Sequence, residues 1–199
     1  MTRRLVGVLA LPAAYPTGEL RAAMVEDVYE TVAGLALVEP VLVVDAADPD
    51  VDALAELTWP GTEVLRMPGH AAAAEPVLEA LAALGGDEVT VVAADAPDLP
   101  GLLVGKLHRG LGSADVAVLP AAGGGLVALA TTRPVPGWVA ATGVGLDTGD
   151  AVTRLSGAAP RRTAVSVGPG WHRVRAPADL AALDRGLEGW EVTRALLAR

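Results

Sequence analysis

The chain has 199 residues, carries a formal net charge of −9 and contains no cysteine, while 52% of its residues are hydrophobic. The missing cysteines exclude disulfides, thiolate nucleophiles and cysteine-based metal sites, and the lack of clustered lysine and arginine disfavours a nucleic-acid polymer as a partner. No apolar run reaches the ~18 residues needed to cross a bilayer, so we expect a cytoplasmic protein with no membrane contact. The length fits one domain, which we predict to span residues 1–199.

Apolar runs of strand length alternate with helical patterns, which is typical of a mainly parallel sheet covered by helices. The predicted strands lie, in chain order, at residues 5–11, 41–45, 63–67, 89–93, 114–119, 126–130 and 163–167, with a short extended piece at 174–175. The predicted helices lie at residues 20–35, 50–57, 74–84, after Pro100, and at 150–155, 178–185 and 187–198. We therefore predict an α/β protein with three α/β/α layers and a mostly parallel, twisted sheet.

The segments between and after these elements carry further signals. Residues 132–150 are rich in proline, glycine and threonine and are predicted to form a loop, in which Trp138 serves packing or a lid. We expect Asp50 and Asp150 to cap the helices that follow them. The alternative for Asp150 is a cation loop together with Asp147, since GLDTGD at 145–150 resembles one. The last helix carries an apolar set that fits either the core or a homodimer contact: Leu187, Trp190, Val192, Leu196 and Leu197.

The strand at 89–93 is continuously apolar and β-branched, which predicts a central position with burial on both faces. It delivers Asp95 and Asp98 to the carboxyl edge of the sheet, where parallel α/β proteins bind ligands. Two carboxylates three residues apart on such a loop fit Mg²⁺ or a ribose hydroxyl. The alternative is that Asp98 caps the next helix while Asp95 accepts hydrogen bonds from loop amides.

The three histidines, His70, His108 and His172, have no spacing that is typical of a metal site. We expect His70 in a loop and His108 on the surface of a helix. His172 follows Trp171, and it serves either as a proton-transfer group or as a partly buried residue at a strand edge.

Four motifs occur in order along the chain. They are AAMVEDVYETV at 22–32, DAPDLP at 95–100, PAAGGG at 120–125 and RVRAPADL at 173–180. With the order of elements, they resemble the nucleotide-diphospho-sugar transferase superfamily, whose fold is called GT-A-like. The chain is most similar to a small bacterial glycosyltransferase-A-like family of undefined activity, and more distantly to the molybdenum-cofactor and 2-phospholactate guanylyltransferases.

The resemblance implies a nucleotidyl- or glycosyltransferase that binds a nucleotide or nucleotide sugar at the carboxyl edge of the sheet, beside Mg²⁺. Carried over by position, it implies catalytic roles for Asp95 and Asp98, with Asp95 also as a metal ligand. The residues implied to bind the substrate are Gly18, Arg21, Gly123, Gly124, Gly125, Arg173 and Arg175.

Three departures from the family's motifs alter this site. The first loop keeps only Gly18 and Arg21 where the family has a basic cluster for the phosphates. Gly123 replaces the acid that precedes the glycine pair of the turn. Arg173 and Arg175 replace the acidic pair that would hold the metal beside the strand-end aspartate.

The exchange of acid for arginine reverses the charge that a metal would meet. Two unit charges ~5 Å apart at an effective dielectric constant of ~20 interact by about 3 kcal/mol. Replacing one ligating carboxylate by arginine therefore changes the energy of a bound dication by at most about 13 kcal/mol. This change predicts an altered metal site and argues against ordinary Mg²⁺-dependent nucleotidyl transfer.

Three functions remain open from the sequence. In the first, an enzyme uses Arg173 and Arg175 to clamp a diphosphate while Asp95 or Asp98 orients a hydroxyl. In the second, a non-catalytic relative binds the ligand or regulates a partner. In the third, only the fold is shared, and the site binds an unrelated metabolite. Convergence of the four side chains on one open cleft favours the first, whereas closed arginine–aspartate ion pairs favour the second.

Overall fold

The computed structural model describes residues 2–68 and 73–199, and within them the strands form one sheet. The strands are β1 (Arg4–Ala10), β2 (Glu39–Asp45), β3 (Glu63–Met67), β4 (Glu88–Ala93), β5 (Val116–Pro120), β6 (Leu126–Thr132) and β7 (Val165–Val167). Their order across the sheet is β3-β2-β1-β4-β6-β5-β7. Because β6 is antiparallel to both of its neighbours and the other pairings are parallel, the carboxyl ends of β1 to β5 and of β7 share one edge.

Helices cover both faces of the sheet. They are α1 (Gly18–Ala33), α2 (Val51–Glu56), α3 (Glu75–Ala83), α4 (Gly101–Gly110), α5 (Gly137–Ala140), α6 (Ala151–Ala158) and α7 (Glu191–Leu197). Side chains of α1, α2 and α4 pack on one face, and those of α3, α5 and α6 pack on the other. The predicted α/β fold with three layers is confirmed.

The burial of β4 follows from its sequence. Side chains of a strand point alternately to the two faces, and β4 is apolar or hydroxylated from Val89 to Ala93. Val92 therefore packs in the layer of α1 and α4, while Val89 and Val91 pack against α3 on the other side. The neighbouring β1 has Gly7 at a crowded point, where a Cβ atom would stand 3.0 Å from Val43 and 3.1 Å from Leu81.

The last helix, α7, is fastened to α1. Trp190, which is 1% exposed, packs beside Met24 of α1. Asp27 of α1 accepts hydrogen bonds from the amides of Val192 at 3.0 Å and Thr193 at 2.7 Å. These are free amides of the first turn of α7, so Asp27 caps that helix from outside it. Of the apolar set predicted for the last helix, Trp190, Leu187 and Leu197 thus pack in this cluster, whereas Val192 is 37% exposed. The homodimer contact stays a prediction.

Several local expectations were wrong. Residues 174–175 form no strand, and the helix expected at 178–185 is a 3₁₀ helix at Pro177–Ala182. The short α5 lies inside the stretch that was predicted to be a loop. The sequence did not predict this helix because four residues are too few for a helical pattern to be recognised. Asp50 and Asp150 make no side-chain cap bonds, and Asp150 instead pairs with Arg154 at 2.8 Å.

Two further points concern the described residues alone. His70 falls among residues 69–72, so its predicted loop position lies outside the described residues. Among residues 2–68 and 73–199, no helix is both long and apolar enough to cross a membrane.

Candidate functional site

A cavity of about 300 Å³ opens at the carboxyl edge of the sheet, where β1, β2 and β4 end. This is the edge at which parallel α/β sheets bind ligands. The first loop, the start of α1 and the segment before α6 complete its walls. The charged residues in the lining are Arg21, Asp45, Asp95, Asp147 and Arg173, and the other lining residues are apolar.

Arg173 holds Asp95 through two parallel hydrogen bonds. Its Nε atom donates to Oδ1 at 2.6 Å, and its Nη2 atom donates to Oδ2 at 2.8 Å. Its Nη1 atom lies 2.8 Å from a carboxylate oxygen of Asp147 and donates to the carbonyl oxygens of Leu126 and Leu146, each at 3.2 Å. Each nitrogen of the Arg173 guanidinium is therefore in contact with an acceptor of the protein itself.

The electrostatics of Arg173 follow from this arrangement. Only 7% of its side chain is exposed. Burial is the largest influence on the pKa of Arg173 and lowers it, but the hydrogen bonds and charges of Asp95 and Asp147 outweigh burial and raise the pKa above its ordinary value. The side chain is a permanent cation held by two carboxylates.

The backbone brings Arg173 to this position. The amide of the next residue, Val174, donates to the carbonyl oxygen of Asp95 at 2.7 Å. The Val174 side chain is fully buried in the cluster that contains Trp190 and Leu183. Because Val174 is anchored by both its amide and its side chain, the strand-end acid and an arginine 78 residues later meet with little freedom to separate.

Asp98 lies in a different environment, away from the cavity. Its carboxylate is 0% exposed and accepts hydrogen bonds from His172 Nε2 at 2.8 Å, Trp171 Nε1 at 3.2 Å and the amide of Asp184 at 2.8 Å. It makes no cap bond to α4, whose N-cap residue is Pro100. Asp98 thus fastens the segment 171–184, a use that neither alternative from the sequence included.

His172 and Trp171 form one unit with Asp98. Their rings stack with centroids 4.7 Å apart, and both rings donate toward the same carboxylate. His108, in contrast, is not the helix-surface residue expected from the sequence. It is 8% exposed, and its Nε2 atom lies 3.1 Å from Oγ1 of Thr90 on β4.

Arg175 and the glycine turn lie beside the cavity and not in its lining. Arg175 donates through Nη2 to the carbonyl oxygen of Ala122 at 3.1 Å. Gly123, Gly124 and Gly125 all have positive φ, which suits glycine. A Cβ atom at Gly125 would stand 2.5 Å from the carbonyl oxygen of Leu146, so the turn needs a residue without a side chain there.

Arg21 reaches the cavity from α1, whereas Gly18 does not line it. Arg21 donates to the carbonyl oxygen of Ala10 at 2.9 Å and forms a buried ion pair with Asp48. Burial is the largest influence on the pKa of Asp48 and raises it, but the Arg21 pair and the amide of Asp50 outweigh burial and lower the pKa. Gly18 has a φ of 55° at the start of α1, so its role is to let the chain turn into the helix.

Sequence reasoning missed two acids of this site, Asp45 and Asp48. Asp45 ends β2 and Asp48 follows it, in VLVVDAADPD, much as Asp95 and Asp98 follow β4 in VVAADAPDLP. The repeated pattern of an apolar strand followed by two acids could have identified them. Asp147 was noticed only as part of a possible cation loop, because nothing in its local sequence points to Arg173.

The residues present do not fit a divalent metal at Asp95. Both of its carboxylate oxygens already accept hydrogen bonds from Arg173, and Asp147 is bound to the same guanidinium. Among residues 2–68 and 73–199, no three histidine, cysteine or acidic side chains lie where they could hold a metal ion together.

Comparisons with known proteins give a consistent fold. No protein-family model and no curated protein matches the chain. A protein of Desulfovibrio desulfuricans assigned as a nucleotide-diphospho-sugar transferase has a similar structure, with a TM-score of 0.76 and 18% identity over 100% of this chain and 96% of that chain. CMP:2-keto-3-deoxy-manno-octonic acid synthetase, solved with CTP, gives a TM-score of 0.66 and 15% identity over 99% of each chain.

A third structure bears on metals. It is the Rv0371c protein of Mycobacterium tuberculosis in complex with manganese, with a TM-score of 0.56 and 18% identity over 90% of this chain and 97% of that chain. At identities this low, these likenesses concern the fold. The chain has the fold of the nucleotide-diphospho-sugar transferases, in agreement with the resemblance of its motifs.

Proposed function

We propose that the protein binds a small molecule of the nucleotide or nucleotide-sugar class in the cavity at the carboxyl edge, without a divalent metal. In this proposal it is a binding or regulatory relative of the transferases and not a catalyst. The observation that carries the proposal is the closed ion pair between Arg173 and Asp95, in which a guanidinium takes both oxygens of the acid that a metal would need.

The position of the cavity supports the class of ligand. It lies at the ends of β1, β2 and β4 in a fold whose similar structures include one solved with CTP. The chemistry of Asp95 supports the absence of metal-assisted transfer. Removing Arg173 from that carboxylate would leave a buried charge without its partner, which costs about 3–5 kcal/mol. The free energy of metal binding would have to exceed that cost.

Calorimetry with and without metal tests this proposal. Nucleotides and nucleotide sugars are titrated into the protein in EDTA and again in Mg²⁺, and we expect the same affinity in both. Ala13→Trp, in the cavity lining, should abolish binding, while Ala14→Trp, next to it but outside the lining, should leave binding intact. Binding that requires Mg²⁺, or turnover of a nucleotide with a sugar or phosphate acceptor that metal stimulates, contradicts the proposal.

A second candidate is a transferase in which Arg173 supplies the positive charge of the missing metal. The arrangement that favours it is a guanidinium held between Asp95 and Asp147 at the position expected for a cation. Transfer that proceeds in EDTA and is lost in Arg173→Met would support this candidate over a binding protein. Manganese titration of Arg173→Ser gives a second measurement, since the freed carboxylates of Asp95 and Asp147 should then acquire weak metal affinity that the natural protein lacks.

A further inference from the structure

The charged groups in the cavity wall are unequal in number. Two arginines, Arg21 and Arg173, face three aspartates, Asp45, Asp95 and Asp147, so the lining carries a net charge of −1. A fourth acid beneath Arg21, Asp48, is 1% exposed and brings the local balance to −2. A ligand that enters the cavity therefore meets more negative than positive charge.

Both arginines already have carboxylate partners. Arg173 donates to Asp95 and two backbone carbonyls and lies 2.8 Å from Asp147. Arg21 is paired with Asp48, donates to the carbonyl of Ala10 and lies 3.7 Å from Asp50, although its Nε atom is buried without a hydrogen-bond partner in the described part of the chain. A phosphate that approached either guanidinium would therefore lie beside a carboxylate that is already paired with it.

The first loop offers no other cation. Between the end of β1 and the start of α1, residues 11–17 read LPAAYPT and carry no charged side chain. The loop contributes apolar wall instead, through Leu11, Pro12, Ala13 and Pro16. Phosphate-binding loops act through cations and close backbone amides, so a charge-free loop rich in proline is poorly suited to a polyphosphate.

The same lining suits the uncharged part of a nucleotide. Carboxylates are acceptors only, and the hydroxyl and amino groups of a ribose and a base are donors. The apolar wall fits the faces of a heterocycle. The cavity volume of about 300 Å³ is at the lower limit for small-molecule sites, which favours a ligand of nucleoside size over an extended nucleotide sugar.

From this charge balance, which rests on the proposed function for the class of ligand, we propose that the cavity takes the nucleoside part of its ligand and selects against phosphate groups. The preferred ligands are nucleosides and, next, nucleoside monophosphates. Nucleoside triphosphates, the substrates that a metal-assisted nucleotidyl transfer would require, are disfavoured.

A phosphate series tests the inference. Each of the four common ribonucleosides is titrated alongside its mono- and triphosphate in EDTA at low ionic strength. For the base that binds, we expect the nucleoside to be tightest, with roughly a fivefold loss for each added negative charge. The loss should shrink in 0.5 M salt, because screening shortens the reach of the charges. A triphosphate that binds more tightly than its nucleoside overturns this inference and leaves the proposed function standing.

Two matched variants locate the effect. Asp147→Asn removes one acid from the lining, and its side chain is 75% exposed, so the fold tolerates the change. Asp147→Asn should reduce the difference in affinity between the nucleoside and its triphosphate. Asp150→Asn, 58% exposed and outside the lining, changes the net charge equally and should leave that difference as it was. An equal reduction in both variants would assign the effect to overall charge and overturn the inference. Binding by no nucleoside or nucleotide would overturn the proposed function and this inference together.

Discussion

The two edges of the sheet carry ion pairs in opposite environments. At the amino edge, where the parallel strands begin, Arg3 and Glu39 pair at 2.6 Å with side chains that are 43% and 55% exposed. At the carboxyl edge, Arg173 and Asp95 also pair at 2.6 Å, but their side chains are only 7% and 16% exposed. Equal distances therefore hide unequal energies, since an exposed pair is screened and a buried charge needs its partner.

The comparison also concerns what the acids are for. At the carboxyl edge, Asp95 and Asp98 were predicted to face a ligand, and both are bound to residues of the segment 171–184. Acids that follow a buried strand thus hold another part of the same chain. At the amino edge, by contrast, Glu39 of β2 and Glu88 of β4 pair with Arg3 and Arg4, which lie at the start of the neighbouring β1.

The largest effect is expected for Asp95→Asn, which leaves the buried Arg173 with only the exposed carboxylate of Asp147 as a charged partner. We expect a loss of about 3 kcal/mol in the free energy of unfolding, measured by urea denaturation. The double variant Asp95→Asn with Arg173→Met should lose less than Asp95→Asn alone, because it removes the buried cation as well. If Asp95→Asn alone lowers the free energy of unfolding by less than about 1 kcal/mol, the Arg173–Asp95 pair is no stronger than an exposed ion pair.

Asp98→Asn should cost about 2 kcal/mol, because an amide cannot accept from all three donors that the carboxylate now serves. Urea denaturation measures the loss, and hydrogen exchange of the Asp184 amide shows where it arises, since that amide donates to Asp98. Asp52→Asn serves as the control, because the Asp52 side chain is 87% exposed. Unchanged exchange at Asp184 would contradict the fastening role of Asp98.

His108 should make stability depend on pH by up to about 1 kcal/mol. Burial lowers the pKa of His108 below the ordinary 6.5; Glu88 opposes this with a smaller raising effect, and Arg4 adds a smaller lowering effect. Below pH 6.5 the unfolded chain binds a proton at His108 more readily than the folded chain does. The stability that the neutral, buried His108 contributes is therefore complete above pH 6.5 and is lost as the pH falls through the pKa of the folded protein.

Urea midpoints at pH 7.5 and 5.5 measure this dependence. His108→Gln should flatten the difference between the two values, whereas Lys106→Gln, on the exposed side of the same helix, should not. If the urea midpoint changes equally between the two pH values in His108→Gln and in the natural protein, His108 is not the titrating group.

The smallest effect is expected for Glu39→Gln at the amino edge, with less than about 0.5 kcal/mol lost in urea. Raising the salt concentration should remove most of that loss, because the charges are exposed. A loss as large as that of Asp95→Asn would mean that the ion pairs at the two edges contribute equally to stability.

Much of the fold was predictable, because burial along a strand or helix is recorded in local hydrophobic periodicity. The strand 63–67 was predicted at its observed bounds, and the other strands lie within about two residues of their predicted bounds. The candidate site was predictable only in part. The position of Asp95 follows from the end of β4, whereas the direction in which Asp98 points is set by residues 73 to 86 positions later.

The misplacement of His108 has the same origin. Its helix periodicity is compatible with a surface position, and the hydrogen-bond partner of its buried ring is the hydroxyl of Thr90, which lies on another element. Likewise, the loop 132–150 contains α5, whose four residues are held by packing of Val139 in the core and not by any local pattern. Contacts between elements that are distant in sequence are determined by the tertiary structure, so they cannot be predicted from the sequence of one segment.

The separation of 78 residues between Asp95 and Arg173 has a consequence for synthesis. At about 5–20 residues per second, a ribosome reaches the arginine roughly 4 to 16 s after it has made the aspartate. For that interval the carboxyl edge of the nascent sheet, at the end of the central strand β4, carries an acid without its arginine partner until the segment with Arg173 has been made.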